Sequence, residues 1–333
     1  MVEREVIRRI IIEGQEFVNE ISLTERPFFF EQKGNYVFVG IRQAGKSYLL
    51  YQRIQQLLRE EHNINEIVYI NFDDERLRQM TADDLDLILQ AYHSLFDLRP
   101  LLFFDEIQNI EGWEHFARRL ANQKYNIYIT GSNAKMLSRE IATTLGGRFW
   151  NKDIYPYSFA EYLNARDIIL SKNWIYGKQA AEVSKAFNDY FLYGGFPELT
   201  DVIAKRVWLN DIYSKIFFSD LIVRNKVRNE EALGLLVRRL AENVKQPVSY
   251  TRLANLISSI GIKISKATVI EFIRYLKESC LIFPIENYAA KFAERNSNMK
   301  HYFIDNGLLS IFLLDGNTSL LENIVAIHLY KRY

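Results

Sequence analysis

The sequence predicts an α/β protein built on a sheet of parallel strands, followed by a mainly helical region. In the first half of the chain, short apolar runs alternate with helical patterns, which is typical of strands joined by crossover helices. One of these runs ends in a glycine-rich loop and another in a pair of acids. In an open α/β sheet, ligands bind at this carboxyl edge of the strands. From residue 158 the pattern turns helical, so the sheet is expected to lie before it.

The glycine loop spans Gly40–Ser47, directly after the first apolar run, Tyr36–Val39. It has the spacing Gly-x-x-x-x-Gly-Lys-Ser and opens a helical pattern, the context that a phosphate-binding P-loop requires. Glycine lets backbone N–H groups turn around a phosphate, and Lys46 adds a charge that reaches the β- and γ-phosphates. Arg42 either contacts phosphate or pairs with an acid such as Asp73. The predicted nucleotide contacts are Gly40, Arg42, Gln43, Ala44, Gly45, Lys46, Ser47 and Tyr48.

Two adjacent acids, Asp105 and Glu106, follow the apolar run Leu101–Phe104. Asp105 is suited to hold Mg²⁺ opposite the Ser47 hydroxyl, and Glu106 to polarise a water for attack on the γ-phosphate. The alternative is an N-cap with an acid in the first helical turn. The neighbouring P-loop favours the first interpretation. It predicts an ATPase of the additional-catalytic-glutamate type, with Ser47 and Asp105 as metal ligands and Glu106 as a catalytic residue.

The predicted base is adenine rather than guanine. The stretch 151–154 resembles the guanine-reading pattern Asn-Lys-x-Asp, but Ile154 occupies the position of the required carboxylate. ATP and Mg²⁺ are therefore the predicted ligands.

Two further positions are candidates for a catalytic role. Ser132 and Asn133 follow the fourth apolar run, where either could reach the γ-phosphate or the attacking water, or could simply cap a helix starting near Lys135. Ser132 is the predicted catalytic residue of the two. Arg148 follows two glycines, and an arginine there could stabilise the transition state in cis or from a neighbouring subunit. Action in trans would require a homo-oligomer, whereas a purely structural arginine would not.

The region from residue 230 predicts a winged helix-turn-helix. Three helical patterns, at about 231–243, 249–257 and 265–278, precede two strand-like runs at 281–288 and 300–304. The third helix would contact double-stranded DNA, although many such modules serve in protein contacts instead. The predicted phosphate contacts are Lys263, Lys266, Arg274 and Lys277, with Lys291, Arg295 and Lys300 in or beside the wing.

The chain therefore divides into four predicted segments. The ATPase domain with its lead-in helix takes residues 1–157, a helical connector takes 158–229 and the winged helix takes 230–316. Residues 317–333 are amphipathic and are expected to open a further domain.

Composition restricts the partners and the compartment. Among 333 residues, 42 Lys and Arg balance 41 Asp and Glu, so overall charge favours no class of partner. A single cysteine, Cys280, excludes an internal disulfide framework and suits a reducing compartment. With no apolar signal region and no run of membrane-spanning length, the expectation is a cytoplasmic protein without a membrane partner.

Several motifs together resemble the prokaryotic AAA-type ATPases, in which an archaeal-type ATPase domain precedes a C-terminal domain of uncharacterised function. The motifs that carry the resemblance are Gly40–Ser47, Phe104–Gln108, Thr130–Asn133, Leu145–Arg148, Tyr155–Glu161, Gly194–Glu198, Tyr302–Gly307 and Leu321–Asn323.

The resemblance implies a parallel sheet of order 5-1-4-3-2, Mg-ATP binding and hydrolysis, and a winged helix. It also implies a nuclease-like fold after the winged helix, whose first acid matches Glu322. No downstream Asp or Glu-x-Lys pair follows in this sequence, so a complete nuclease site is not expected within these 333 residues.

Three functions are consistent with these observations. One is an ATP-hydrolysing protein that couples its nucleotide state to a DNA- or protein-binding module. Another is a nucleotide-dependent regulator that binds ATP or ADP with negligible intrinsic turnover. The third is a transcription factor whose ATPase domain serves mainly in oligomerisation.

Overall fold

The computed structural model of the chain describes residues 3–137, 139–286, 299–314 and 316–332. Its internal contacts divide the chain into two units. The first unit consists of Met1–Gly40 and Gly45–Ile154, and the second of Ile41–Ala44 and Tyr155–Tyr333. The finer division of the second unit into three segments stays a prediction.

The first unit is built on a five-stranded parallel sheet of order β2-β3-β4-β1-β5. This confirms the predicted strand order and direction. Every residue of β3 and β4 is buried, as expected of central strands covered on both faces. The strands are β1 (Asn35–Val39), β2 (Ile67–Asn71), β3 (Leu101–Asp105), β4 (Ile127–Gly131) and β5 (Phe149–Asp153).

Strand β5 begins earlier than the sequence predicts. The sequence pattern predicts a strand at about 152–155, whereas β5 starts at Phe149, which pairs with Asn35 of β1. The strand lies at the edge of the sheet, and four of its five residues are exposed. An exposed edge strand needs no apolar run, so hydrophobicity alone cannot locate its start.

Helices accompany the strands of the first unit. The predicted lead-in helix, α1, buries Ile7, Ile11 and Val18, and the Gln15 side chain donates a hydrogen bond to the Ile67 carbonyl at the start of β2. This helix is therefore packed on the core. The helices are α1 (Arg4–Glu20), α2 (Lys46–Arg59), α3 (Asp86–His93), α4 (Trp113–Asn122) and α5 (Arg139–Leu145).

The second unit is mainly helical. Three helices and an antiparallel strand pair occur where the sequence predicts the winged helix, while the winged-helix arrangement itself stays a prediction. Lys291 and Arg295 lie outside the described residues. The elements are α6 (Phe159–Ala165), α7 (Gln179–Tyr193), α8 (Lys205–Lys215), a π-helix (Ile216–Val223), α9 (Glu230–Glu242), α10 (Tyr250–Ser258), α11 (Lys266–Glu278), β6 (Ile282–Ile285), β7 (Lys300–Phe303), α12 (Asn306–Ser310) and α13 (Asn317–Arg332).

A buried carboxylate joins two of the sequence motifs within this unit. Asp305 accepts hydrogen bonds from the backbone N–H groups of Gly195 at 2.7 Å and Gly307 at 2.8 Å. A Cβ on Gly194, where φ is +79°, would lie 1.9 Å from the Asp305 carboxylate. Burial raises the pKa of Asp305 to about 6, against a usual value of 3.8. Glycine at position 194 is thus required for close packing against Asp305.

The motif that contains Glu322 also makes internal contacts. Glu322 accepts hydrogen bonds from Lys300 at 2.8 Å and from the Tyr302 hydroxyl at 2.9 Å. Asn323 is fully buried and exchanges hydrogen bonds with both backbone groups of Phe303. These contacts tie α13 to β7. Within the part of the chain that the structure describes, no helix is long and apolar enough to cross a membrane.

Candidate functional site

The loop between β1 and α2 has a backbone that glycine makes possible. A Cβ on Gly40 would lie 1.9 Å from the carbonyl oxygen of Ile154, so no larger residue fits there without a backbone shift. Gln43 and Gly45 have left-handed backbones, with φ of +60° and +89°. Alternation of this kind produces the concave row of N–H groups that binds anions. Helix α2 begins at Lys46, directly after this turn, and adds the partial positive charge of its N-terminus.

Lys46 is buried beneath the loop, with 3% of its side chain exposed. Its ammonium donates a hydrogen bond to the Gly40 carbonyl at 3.2 Å and lies 3.6 Å from a carboxylate oxygen of Glu106. The P-loop lysine and the second acid of the predicted pair therefore face each other. A buried lysine at this position provides a positive charge that solvent screens little.

Asp105, at the end of β3, is fully buried and surrounded by hydroxyl groups. Its carboxylate accepts hydrogen bonds from Thr130, from Tyr69 at 2.9 Å and from Ser47. Burial and the neighbouring Glu106 charge raise the pKa of Asp105, while the three hydroxyl donors lower it. All three of these hydroxyl donors are neutral.

Glu106 is held by its backbone and by its side chain. Its φ of +52° is left-handed, a conformation that is uncommon outside glycine and concentrated at functional sites. The Glu106 N–H donates to the Thr130 hydroxyl at 3.0 Å. Its carboxylate accepts a hydrogen bond from the Gln108 amide at 2.5 Å, through the oxygen that does not face Lys46.

Ser132 and Asn133 have different surroundings. Ser132 is buried at the end of β4, and its hydroxyl lies 3.4 Å from the Gln108 amide nitrogen. The Asn133 carbonyl accepts the N–H of Met136 in the following turn. The structure thus places Ser132 beside Gln108, whose amide also contacts Glu106. Tyr48, a predicted nucleotide contact, is 51% exposed on α2, next to the ring of Tyr51.

Arg42 pairs with an acid far along the chain rather than with Asp73, the acid that the sequence suggests. Its guanidinium makes two hydrogen bonds of 3.1 Å to Asp220 of the π-helix. Asp220 is 3% exposed and also pairs with Arg224 at 2.7 Å. These contacts lie within the second unit, to which Ile41–Ala44 belong.

Arg148 lies at the amino ends of the parallel strands, whereas the P-loop lies at their carboxyl ends. The prediction that Arg148 acts in cis on a phosphate bound at the P-loop is therefore wrong. Arg148 immediately precedes β5, and its carbonyl accepts a hydrogen bond from Asn35 at the amino end of β1, whereas the loop follows the carboxyl end. Five strand residues at about 3.3 Å each separate these edges by roughly 16 Å. The Arg148 guanidinium donates to the Gly146 carbonyl at 3.0 Å. A role in trans stays a prediction.

The sequence predicts no role for four side chains of this region, although Gln108 and Thr130 lie within motifs of the family resemblance. Thr130 and Gln108 contact the acid pair, Tyr69 supports Asp105, and Asp220 holds Arg42. The sequence does mark Thr130 and Asp220, because each is a polar residue in a mainly apolar run. Burying such a residue costs free energy unless it has a hydrogen-bonding partner, so each is expected to have one. Tyr69 has no such signal, since an amphipathic residue in a strand is ordinary, and Gln108 is marked only by its place in the motif Phe104–Gln108.

Known proteins provide an independent comparison. An uncharacterised protein of Methanocaldococcus jannaschii is 32% identical over 339 residues, covering all of this chain and 75% of that protein. An uncharacterised protein of Haemophilus influenzae is 31% identical over 304 residues, covering 89% of this chain and 74% of that protein. The chain belongs to the family of these two proteins. In this family member, residues 32–163 match the family described as AAA domain, and residues 184–319 match a domain of unknown function (DUF8612).

A solved structure supports the fold. The Walker-type ATPase of Pyrococcus abyssi matches with a TM-score of 0.52 and 14% identity, over 94% of this chain and 96% of that chain. The predicted resemblance is thus confirmed for the AAA domain, residues 32–163, and for the P-loop fold. The winged helix and the nuclease-like segment stay predictions.

The AAA domain of this chain has the side chains that an Mg-nucleotide would need. A hydroxyl, Ser47, and a carboxylate, Asp105, lie within hydrogen-bonding distance of each other, and both are oxygen ligands of the kind that Mg²⁺ prefers. Magnesium usually keeps several waters and takes only one or two protein ligands. A divalent cation would also offset the two adjacent acids, which Lys46 alone does not balance. The residues present fit the group.

Proposed function

We propose that this protein binds Mg-ATP at the Gly40–Ser47 loop and hydrolyses it. The observation that carries the proposal is the meeting of the P-loop lysine with Glu106 across the carboxyl edge of the sheet. In the proposed arrangement, the loop N–H groups and Lys46 bind the phosphates. Ser47 and Asp105 would hold Mg²⁺, which supplies positive charge against the phosphate oxygens when bound.

Glu106 is the proposed general base. Its carboxylate would accept a proton from the water that attacks the γ-phosphate, and Ser132 would help to orient that water. Lys46 would then stabilise the negative charge that remains on the phosphates. In the proposed cycle, the nucleotide state is coupled to the C-terminal module.

Two substitutions test this assignment. Lys46→Ala should abolish nucleotide binding, because it removes the buried charge that faces the phosphates. Glu106→Gln should retain binding and lose hydrolysis, because an amide cannot accept the proton. Binding is measured by titration with a fluorescent ATP analogue, and turnover by phosphate release. The matched controls are Lys33→Ala and Glu111→Gln, both at exposed positions. Unchanged turnover in the Glu106→Gln protein would remove Glu106 from this role.

A second candidate function is a nucleotide-dependent regulator with negligible intrinsic turnover. The observation that favours it is that both carboxylate oxygens of Glu106 already have partners, Lys46 and Gln108. A base engaged in this way would act slowly until a partner changed the site. Steady-state turnover with and without DNA separates the two functions. Stimulation by DNA favours the ATPase, and ADP retained on the purified protein favours the regulator.

The proposed output module includes helix α11. Lys263, Lys266, Arg274 and Lys277 are all exposed, which suits contacts with the phosphates of double-stranded DNA. Arg274 also lies 3.9 Å and 3.8 Å from the carboxylates of two glutamates on the same helix, so the lysines carry most of the uncompensated charge. DNA binding measured over a salt series should weaken as salt increases. Binding that is insensitive to Lys266→Ala and Lys277→Ala together would favour a protein partner for this module.

A further inference from the structure

The residue two positions after the proposed base makes an unusual set of contacts. Gln108 lies in the short turn Ile107–Asn109 that follows Glu106. Its amide nitrogen donates to one oxygen of Glu106 at 2.5 Å and lies 3.4 Å from the hydroxyl of Ser132. One amide group therefore contacts both the proposed base and the proposed water-orienting residue.

The orientation of this amide follows from hydrogen-bond chemistry. An ionised carboxylate can only accept hydrogen bonds, so the NH₂ group, and not the carbonyl, must face Glu106. The Gln108 carbonyl oxygen is then buried without a donor among the described residues. Unpaired buried oxygens are rare in native proteins, and here the contact with Glu106 explains why this one is retained.

The surroundings allow the amide little freedom. A Cβ on Gly131 would lie 2.4 Å from the Gln108 carbonyl oxygen and 1.9 Å from the sulfur of Met136. Glycine at the end of β4 thus provides the space that the Gln108 side chain fills. A tightly packed amide can hold its partner in one geometry, which is what a positioned general base requires.

We propose that Gln108 is the positioning residue for Glu106. The inference rests on the proposed function, because it assigns a support to the base of that reaction. Lys46 faces one oxygen of Glu106 at 3.6 Å and Gln108 holds the other. When Lys46 turns to a phosphate, Gln108 is the contact that keeps the carboxylate aimed at the water. Gln108 acts through Glu106 and does not touch the reacting atoms.

The test is Gln108→Met in the full chain, because methionine keeps the length and volume but donates no hydrogen bond. Turnover, kcat, should fall about 10- to 100-fold, part of the 10²- to 10⁴-fold contribution of a general base. The KM for ATP and the Kd for a fluorescent ATP analogue should stay within twofold of the parent values. The midpoint of thermal unfolding should stay within about 2 °C of the parent value. Exposed Gln123→Met is the matched control.

A double-mutant cycle separates positioning from a structural role. In a Glu106→Gln background, Gln108→Met should cause no further loss of turnover, because the base that it positions is already absent. Equal losses in both backgrounds would overturn the inference. Gln108→Leu, which is close in volume and also lacks the donor, provides the second variant if the methionine protein does not fold, and it should lose turnover in the same way.

Two failures are distinguishable. A wild-type protein that turns over ATP, together with a Gln108→Met protein of equal kcat, would overturn the role of Gln108 and leave the proposed function standing. A parallel loss of nucleotide affinity and kcat would also overturn it, since positioning of the base should not alter binding. A wild-type protein that binds Mg-ATP but never hydrolyses it would overturn both proposals.

Discussion

Substitution of Asp220 by asparagine tests whether the π-helix supports the P-loop segment Ile41–Ala44. Asp220 is almost fully buried and makes two hydrogen bonds to Arg42 and one to Arg224. Asparagine keeps the shape but removes the charge, and its NH₂ group would face guanidinium donors. The change therefore leaves two arginines without their shared counter-charge.

The expected magnitude follows from burial. Breaking a fully buried ion pair by removing one partner costs about 3–5 kcal/mol. Arg42 and Arg224 remain 31% and 26% exposed, so water offsets part of the loss, and we expect a decrease of about 2 kcal/mol in the free energy of unfolding. The substitution should also free roughly one residue of the loop backbone. Ordering that residue again when nucleotide binds adds about 1 kcal/mol to the free energy of binding. That corresponds to a Kd about fivefold higher.

The assay combines urea unfolding with titration of a fluorescent ATP analogue. The chain offers a matched control in Asp189, which also bridges two cations, Arg166 at 3.2 Å and Lys205 at 3.0 Å, but is 34% exposed. Asp189→Asn should cost less than about 1 kcal/mol, as exposed ion pairs do, and leave nucleotide affinity unchanged. If Asp220→Asn behaves like Asp189→Asn in both measurements, the π-helix does not support the loop.

Three further predictions concern the loop, the second unit and the far edge of the sheet. Gly40→Ala should destabilise the protein by about 1–3 kcal/mol and weaken nucleotide binding, because the added Cβ would lie 1.9 Å from the Ile154 carbonyl oxygen. Thermal unfolding measures the loss of stability. The control is Gly177→Ala, which should show no such loss because its added Cβ meets no atom within 4 Å. Burial raises the pKa of Asp305 from 3.8 to about 6, so its contribution to stability is complete below pH 3.8 and is lost as the pH rises through 6. Asp305→Asn should then gain up to about 3 kcal/mol relative to wild type between pH 4 and pH 7 in urea unfolding, and a difference that does not vary with pH would contradict this. Arg148→Ala should leave the nucleotide Kd of monomeric protein unchanged, because the arginine lies at the opposite edge of the sheet, and a large loss of affinity there would contradict the placement.

The parts of the site that the sequence predicts are those determined by local chemistry. A P-loop requires glycine, lysine and a hydroxyl at fixed spacing, so the spacing alone locates Gly40, Lys46 and Ser47. Asp105 and Glu106 are located because a carboxylate that ends an apolar strand must lie at the ligand-binding edge. The strand order requires the family resemblance, since periodicity does not specify which strands are neighbours.

The parts that the sequence does not predict depend on long-range neighbours. Asp220 lies 178 positions from Arg42, and no local pattern relates them. The early start of β5 escapes prediction because an exposed edge strand lacks the apolar run by which strands are recognised. The sequence allows Arg148 a cis role because two glycines and an arginine are locally compatible with a finger, whereas the position of β5 in the sheet decides the distance.

The charge balance of the site connects these observations. Lys46 lies 3.6 Å from a carboxylate oxygen of Glu106, and the adjacent Asp105 is buried and accepts hydrogen bonds from three neutral hydroxyls. Two acids beside one lysine give this site an excess of negative charge. Nucleotide phosphate alone would increase that excess, whereas Mg²⁺ bound together with the phosphate would reduce it. We therefore expect nucleotide affinity to depend steeply on magnesium. We also expect that dependence to weaken in Asp105→Asn, where one of the two negative charges is removed. A titration of the ATP analogue at fixed ionic strength, with and without magnesium, measures both effects, and equal affinities in the two conditions would show that Lys46 and the loop suffice.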